Sequence, residues 1–312
     1  MKKNAGAYAK VVLNTILLLA SFGSLSVLLV TLLAVSPSFE QEYGAYKFGS
    51  FGFIDKPLKD SSCASYTIFK YNDTHIACKN SSTNLVQWIS RSASEVINNA
   101  ISSLSKGGTI FIKAGFYTIS DTIYVNQNSI WIQGENYWGT ILNYEAGGGY
   151  AIQIKHATQN RIQGICLRDF ALQTPSAVSG RHGIYIQGMQ TSVIVDLILW
   201  RFDKNIVFDN SDVNKPNRGG IIVERLHFNE YIGTAVEGCG TAINPELHLK
   251  TLHITPETST GSGIVFSNGI LWLDDLEMMG EDGADTYGIN LAGQFALIID
   301  KVWIEHFGAN IV

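Results

Sequence analysis

Residues 107–119, GGTIFIKAGFYTI, contain two short apolar runs separated by a tight turn, and residues 131–142, WIQGENYWGTIL, repeat this arrangement. Short runs rich in Ile, Phe and Tyr that are bounded by Gly are typical of β-strands. Only 16% of the residues are charged and 30 are Gly, a composition that suits turn-rich β-structure better than surface helices. These stretches therefore predict an all-β fold.

The same pattern recurs along the rest of the chain. Six segments have apolar residues at positions one, three, six and eight and a charged residue at position four; they are ICLRDFAL from 165, VIVDLILW from 193, IIVERLHF from 221, LHLKTLHI from 247, LWLDDLEM from 271 and LIIDKVWI from 297. Their starts are 28, 28, 26, 24 and 26 residues apart. A second element recurs between them: GIYIQG from 183, NIVFDN from 205, GTAVEG from 233, GIVFSN from 263 and GINLAG from 288. A period of this size indicates an array of stacked units.

The repeat length narrows the choice of architecture. Propeller blades are longer, at about 40 to 45 residues, and leucine-rich repeats carry a Leu signature that is missing here. Two or three short parallel strands per unit, stacked about 4.8 Å apart, fit the spacing. The sequence therefore predicts a right-handed, single-stranded parallel β-helix. Two internal columns are expected: Leu167, Val195, Val223, Leu249, Leu273 and Ile299 in one, and Phe170, Ile198, Leu226, Leu252, Leu276 and Val302 in the other.

One helix is expected in this region. Apolar residues in LVQWISRSASEVINNAISSLSKGG recur at helical spacing between Val86 and Leu104, and Gly107 marks the end. We expect this helix to cap the first open end of the β-helix, which then spans residues 85–312.

The entry to this region resembles a known family. Residues 97–142, INNAISSLSKGGTIFIKAGFYTISDTIYVNQNSIWIQGENYWGTIL, are similar to the first coil of the pectate lyase superfamily, and the resemblance extends over about residues 86–312. It implies the parallel β-helix fold and contact with a polysaccharide. Members of that superfamily include lyases, hydrolases, epimerases and catalytically silent adhesins, so the fold does not choose among activities.

Before this region lies a segment suited to a membrane. Residues 11–35 contain no charged side chain, and as a helix they would extend about 37 Å, which is enough to span a bilayer. Lys2, Lys3 and Lys10 precede the segment, which predicts a cytoplasmic tail at 1–10 and an extracellular remainder. A cleaved signal peptide, leading to secretion, is the alternative. The net charge of −5 gives no case for nucleic-acid binding.

Residues 36–84 show no sustained period and are interpreted as an extracellular stalk. Cys63 and Cys78 lie in one polar stretch, and a disulfide between them would stabilise the protein by about 3 kcal/mol in an oxidising compartment. Asn72 and Asn80 begin N-glycosylation sequons, which favours an exposed surface.

Candidate site residues come from the outward ladders. The fourth positions are Arg168, Asp196, Glu224, Lys250, Asp274 and Asp300. Asp274 and Asp300 should lie about 4.8 Å apart, so that they bind a cation such as Ca²⁺, share a proton or repel each other. A charge-compensated solvated ladder is the alternative. The adjacent pair Asp274 and Asp275 resembles the double Asp of polygalacturonase-type hydrolases, which implies acid and base roles. Arg225 and Lys250 are available as lyase-type bases or as surface residues.

The seventh positions are Ala171, Leu199, His227, His253, Glu277 and Trp303. His227, His253 and Glu277 on successive coils are suited to acid–base chemistry, to metal binding or simply to a polar surface, and His253 is the favoured titrating group. Trp272 and Trp303 are candidate sugar-stacking platforms or packing residues.

Two functions follow from these observations. The first is an extracellular polysaccharide lyase or hydrolase that uses Asp274, Asp275, Asp300 and His253. The second is a non-catalytic adhesin or envelope protein with a rigid β-helix. The final residues, FGANIV at 307–312, stop partway round a coil, so we expect further sequence, a partner or a second copy of the chain to cover this end.

Overall fold

The computed structural model describes residues 63–312 except 157, 241–245 and 258–259, and does not describe the side chains of 281–285, 294–295 and 310. The expected membrane segment, 11–35, lies outside this part of the chain. Within the described part, no helix has the length and apolar character needed to cross a bilayer.

The described chain forms strands and one helix. The strands are β1 (Tyr66–Lys70), β2 (Ile76–Asn80), β3 (Val86–Ser90), β4 (Gly108–Ile112), β5 (Gly115–Ile119), β6 (Ile123–Val125), β7 (Ile130–Gly134), β8 (Thr140–Tyr144), β9 (Gly149–Ile154), β10 (Ile162–Gln163), β11 (Cys166–Gln173), β12 (Arg181–Gln187), β13 (Met189–Gln190), β14 (Ser192–Trp200), β15 (Lys204–Asp209), β16 (Ile221–Tyr231), β17 (Thr234–Cys239), β18 (Glu246–Pro256) and β19 (Ser262–Ile311). The helix α1 is Ala93–Ser102.

The strands wind into a parallel β-solenoid, which confirms the predicted β-helix. In one column, β4, β7, β11, β14, β16, β18 and β19 pair in parallel, each with the next. In another, β6, β9, β12, β15, β17 and β19 do the same. The long β19 is wound rather than straight, because residues 262–266 pair with β17 and residues 270–278 pair with β18. Its backbone turns at Asn268 and Gly269, both with positive φ.

The N-terminal region differs from the prediction in two places. Val86–Ser90, expected as the start of the helix, is a strand antiparallel to β2, and the helix begins only at Ala93. Val86 and Ile89 are exposed, whereas Val96, Ile97 and Ile101 of α1 are buried in the core. The apolar spacing was continuous across Ser92, but the backbone there is extended and interrupts the helix. The helix packs against the strands of the first coil, as a cap should.

Part of the expected stalk also belongs to the solenoid. Strand β1 pairs with β2 as a hairpin and with β4 in parallel, so the sheet begins before residue 85. The predicted disulfide is wrong, since no bond joins Cys63 to Cys78 in the described chain. Cys78 faces Ile68 and Trp88 on neighbouring strands and is fully buried, while Cys63 is exposed. Burial raises the pKa of the Cys78 thiol to about 12.

The two sequons lie at the ends of this hairpin. The Asn72 side-chain oxygen accepts hydrogen bonds from the backbone N–H groups of Thr74 and His75, and the Asn80 oxygen accepts from Ser82 and Thr83. Asn72 is exposed and Asn80 is half-buried. Glycosylation at these positions stays a prediction.

The register of one repeat differs from the predicted alignment. Cys166 pairs with Val193, and Ser192 pairs with Ile221, so the second repeat begins at 192 rather than 193. The segment SVIVDLILW is apolar on both sides of Asp196, which is why its pattern fits either register. Ile194 and Leu197 therefore take the core places predicted for Val195 and Ile198, and Asp196 leaves the fourth-position ladder.

A sharp corner explains the spacing of the apolar positions within each repeat. At this corner, each of six successive coils places a non-Gly residue in the left-handed region, with φ between 50° and 61°; these are Asp169, Asp196, Arg225, Thr251, Asp275 and Lys301. We call them the corner column. Side chains of a regular strand alternate between its two faces, so positions three and six would lie on opposite faces of a straight strand. Here both face the core, because the corner residue between them shifts the alternation by one residue. Positions one to four thus lie on one side of the corner and positions six to eight on the other.

The core follows these columns closely. Leu167, Ile194, Val223, Leu249 and Leu273 are at most 1% exposed, and the position-six column from Phe170 to Leu276 is at most 2% exposed. In the last coil Ile299 is 43% exposed and Ile311 is 53% exposed, while Val302 and Ile304 are partly buried against the core.

Candidate functional site

A groove of about 780 Å³ runs along the corner column. It is formed by β14, β16, β18 and β19, with Tyr137 from the turn between β7 and β8. The lining residues are Tyr137, Asp196, Arg225, His227, Thr251, Leu252, His253, Asp275, Leu276, Glu277, Lys301, Val302 and Trp303. The groove is elongated because equivalent positions on successive coils stack along the solenoid axis.

Three seventh-position residues form an imidazole cluster in this groove: His227, His253 and Glu277. His253 Nδ1 donates a hydrogen bond to Glu277 Oε2 at 3.2 Å, and Nε2 then accepts one from Thr255 Oγ1 at 3.2 Å. The rings of His227 and His253 are 5.6 Å apart between centroids. Partial burial, followed by the neighbouring His253, lowers the pKa of His227 below its ordinary value of 6.5. His227 is thus neutral near pH 7, beside an imidazole that is bonded to a carboxylate.

One cation of the corner column, Arg225, is paired with two carboxylates. Arg225 donates two hydrogen bonds to Asp196, from Nε at 2.7 Å and from Nη2 at 2.9 Å. It donates a third to Glu224 at 2.6 Å. These contacts, with the Asp196 hydrogen bond first, raise the pKa of Arg225. Further along, Thr251 Oγ1 donates to Asp275 Oδ2 at 3.3 Å. The cation of Arg225 is therefore compensated, which agrees with the alternative that Arg225 is a surface residue and not a lyase-type base.

The predicted site residues divide between the two sides of the corner. Six of them line the groove: Arg225, His227, His253, Asp275, Glu277 and Trp303. Asp274, Asp300, Lys250 and Trp272 are not among its lining residues. Lys250 pairs in register with Glu224 on one side and Asp274 on the other, so this stretch of the fourth-position ladder alternates in charge.

The two tryptophans have different surroundings. Trp272 is stacked on His248, with 5.2 Å between centroids and 6° between planes, so one face of its indole is already covered. Trp303 lines the groove and is 66% exposed. Trp303 is the better placed of the two for stacking against a sugar.

Three groove residues had been named neither as site residues nor as ladder or core positions: Tyr137, Thr251 and Lys301. The signal for Thr251 and Lys301 was the three-residue step between apolar positions three and six. An odd step between two core positions requires a corner, and the fifth position lies at it. Tyr137 had no such signal, because it belongs to a turn several coils away from the histidines.

The described residues contain no cluster of candidate metal ligands. Among residues 63–312, with the gaps given above, no three His, Cys, Asp or Glu side chains converge closely enough to hold one. The Ca²⁺ suggested for Asp274 and Asp300 stays a prediction, and the chemistry considered below uses no metal.

Comparison with known proteins gives only distant likenesses. The sequence matches no protein-family model, and no curated protein matches it. Among solved structures, ORF18 of Geobacillus virus E2 is similar over 70% of this chain with 12% identity and a TM-score of 0.46. This chain spans 55% of the length of that viral protein.

Two further structures are a pectin methylesterase in complex with a hexasaccharide and the A-module of the Azotobacter vinelandii mannuronan C-5 epimerase AlgE4. The first is 10% identical, with a TM-score of 0.30, over 72% of this chain and 91% of the esterase. The second is 11% identical, with a TM-score of 0.27, over 71% of this chain and 93% of the module. All these TM-scores are below 0.5, so the fold assignment rests on the strand pairing of this chain. That pairing gives the parallel β-helix that the resemblance to the pectate lyase superfamily implied.

Proposed function

We propose that the groove binds a polysaccharide and cleaves its glycosidic bonds by general acid–base catalysis. The observation that carries this proposal is the imidazole cluster, in which a neutral His227 lies beside a His253 bonded to Glu277. A proton acceptor and a proton donor side by side are what glycosidic cleavage requires, whether by hydrolysis or by elimination. The elongated shape of the groove suits a linear polymer.

Each residue of the cluster has a distinct role in this proposal. Neutral His227 accepts a proton, either from an attacking water or from a sugar carbon. To act as the acid, His253 must first be protonated at Nε2, with loss of the hydrogen bond from Thr255; it then passes that proton to the leaving oxygen. The Glu277 carboxylate holds its ring and stabilises the charge of the protonated imidazole. Asp275, bonded to Thr251, adds a second carboxylate to the groove. Trp303 offers an exposed aromatic surface to a bound sugar.

A direct test is incubation of the protein with polygalacturonate, alginate, xylan and dextran. Hydrolysis produces new reducing ends alone, whereas elimination also produces an unsaturated product that absorbs ultraviolet light. The His253→Gln variant should bind the polymer but leave it intact. Cleavage by this variant at the wild-type rate would overturn the catalytic proposal.

Glycan binding without cleavage is the second candidate function. It is favoured by the compensation of Arg225 by Asp196 and Glu224, which leaves that cation unavailable to a substrate. Binding of a polymer by the wild-type protein with no new ends after long incubation would select this candidate.

We also propose that the solenoid lies outside the cell, attached through residues 11–35. The support is the absence of charged residues in that segment and the three lysines before it. In intact cells that express the full chain with a tag at each end, external protease should remove the C-terminal tag and spare the N-terminal one. Protection of both tags would contradict the proposal.

A further inference from the structure

A five-residue insertion interrupts the corner at the N-terminal end of the groove. Gln133 pairs with Arg168 and Ile141 pairs with Ala171, so Gly134 and Thr140 correspond to Asp169 and Phe170 of the next coil. Residues 135–139, ENYWG, therefore lie where the following coils have a direct connection. We call this insertion the corner loop.

The corner loop is held by its own hydrogen bonds and by those to the preceding coil. The backbone N–H of Thr140 donates to the Asn136 carbonyl at 2.9 Å, and the Asn136 side-chain oxygen accepts from the Gly139 N–H. Glu135 Oε2 accepts from the Ala114 N–H at 2.7 Å, and the Glu135 N–H donates to the Ile112 carbonyl at 2.9 Å. The loop backbone is thus fixed at both ends before any ligand arrives, which lowers the entropic cost of binding.

This rigid loop presents two aromatic side chains to solvent. Trp138 is 64% exposed and Tyr137 is 37% exposed, and their rings are 5.6 Å apart between centroids. Tyr137 also lines the groove that contains the imidazole cluster. Aromatic rings supply large, rigid apolar faces with a polar edge, which suits the apolar face and hydroxyl groups of a sugar ring.

We propose that Tyr137 and Trp138 form a sugar-binding subsite at the N-terminal end of the groove, so that a glycan chain lies along the solenoid axis. This proposal rests on the proposed polysaccharide-binding function. The corner loop is four coils before the strand that carries His253, a separation of about 19 Å at 4.8 Å per coil. A chain that reaches both places must be long, and a disaccharide at the imidazole cluster would not reach Trp138.

The dependence of affinity on chain length tests this subsite. The polymer is first chosen as the one that binds the wild-type protein among polygalacturonate, alginate, xylan and dextran. Calorimetry then measures how a long oligosaccharide and a disaccharide of that polymer bind to wild type, Trp138→Ala and Tyr137→Ala. Each substitution should weaken binding of the long oligosaccharide by roughly three- to tenfold, and Trp138→Ala, which changes no groove residue, should leave binding of the disaccharide unchanged. Tyr124→Ala is the matched control, since Tyr124 is 43% exposed on β6 and is not a groove residue.

A second readout does not depend on cleavage. In a Glu277→Gln, Trp303→Phe double variant, a long oligosaccharide should shift the tryptophan fluorescence, and the added substitution Trp138→Phe should remove most of that shift. In Trp138→Ala, equal weakening of long and short ligands, or no weakening of either, would overturn the subsite while leaving the proposed function intact. Failure of all four polymers to bind the wild-type protein would overturn the proposed function and the subsite together.

Discussion

The Nδ1 atom of His253 lies 3.2 Å from Oε2 of Glu277, which occupies the register position facing His253 on the next coil. This contact fixes the ring of His253 and leaves its Nε2 atom as the acceptor for Thr255. His227, the facing residue on the preceding coil, places a second imidazole beside it. The solenoid repeat itself thus brings three distant sequence positions together.

The first prediction concerns this hydrogen bond. Glu277→Gln removes the carboxylate that stabilises positive charge on His253, and we expect kcat for polysaccharide cleavage to fall by about 100-fold or more with little change in binding. Initial rates of reducing-end formation measure the effect. Glu305→Gln is the control, since Glu305 is not a groove residue. An equal loss of rate in both variants would argue against the assigned role of Glu277.

The second prediction concerns pH. Burial lowers the pKa of His227 below 6.5, and the base acts only when its imidazole is neutral. The cleavage rate should therefore rise with pH through a midpoint below 6.5 and should already be independent of His227 titration near neutral pH. The pH profile of kcat/KM measures the midpoint. In His227→Gln the remaining rate should lack this acidic limb, and its persistence would assign the limb to another group.

The sequence revealed the solenoid more fully than it revealed the site. The repeated apolar positions and their spacing are enough to define stacked coils, since both follow from the buried columns. They did not reveal that Asp196, rather than Leu197, stands opposite Asp169, because apolar residues flank Asp196 on both sides and either register buries them. That single-residue shift decides which side chains share the corner column with Arg225.

The site was harder to predict because the corner separates neighbouring residues. Asp274 and Asp275 are adjacent in sequence, yet only Asp275 lines the groove. A strict alternation of strand side chains does not predict which of the two faces the groove, because the left-handed residue shifts the alternation by one residue. The predicted bond between Cys63 and Cys78 failed for a related reason: proximity in sequence carries no information on whether a side chain points into the core.

The third prediction separates the two adjacent carboxylates. From the sequence we named Asp274, Asp275 and Asp300 as catalytic carboxylates, and of these only Asp275 lines the groove. We expect Asp275→Asn to lower kcat/KM for the polymer by about tenfold or more, and Asp274→Asn to leave it within about twofold of wild type. Both variants should have wild-type circular dichroism. A larger loss of kcat/KM in Asp274→Asn than in Asp275→Asn would indicate that the active site lies on the fourth-position ladder.

The fourth prediction concerns the buried thiol. Cys78 should react with iodoacetamide only after unfolding, because it is fully buried and burial raises its pKa to about 12. Cys78→Ser places a hydroxyl in the same apolar site and should lower the free energy of unfolding by about 1–3 kcal/mol, as measured by urea denaturation. Dithiothreitol should leave the unfolding midpoint of the wild-type protein unchanged. A lower unfolding midpoint in dithiothreitol would indicate that the disulfide forms after all.

The last prediction concerns Thr251, a β-branched residue in the left-handed region with φ of 51°. Such residues adopt this conformation at a cost, whereas Asn tolerates it, so Thr251→Asn should raise the free energy of unfolding by about 1 kcal/mol. The melting temperature of a protein of this size should then rise by about 2–4 °C. Thr251→Val is the matched control, because it keeps the branched shape and loses only the hydrogen bond to Asp275. It should be no more stable than wild type. If Asn and Val shift the melting temperature equally, the corner at this coil is not strained, and its left-handed residue is set by the neighbouring coils without measurable cost.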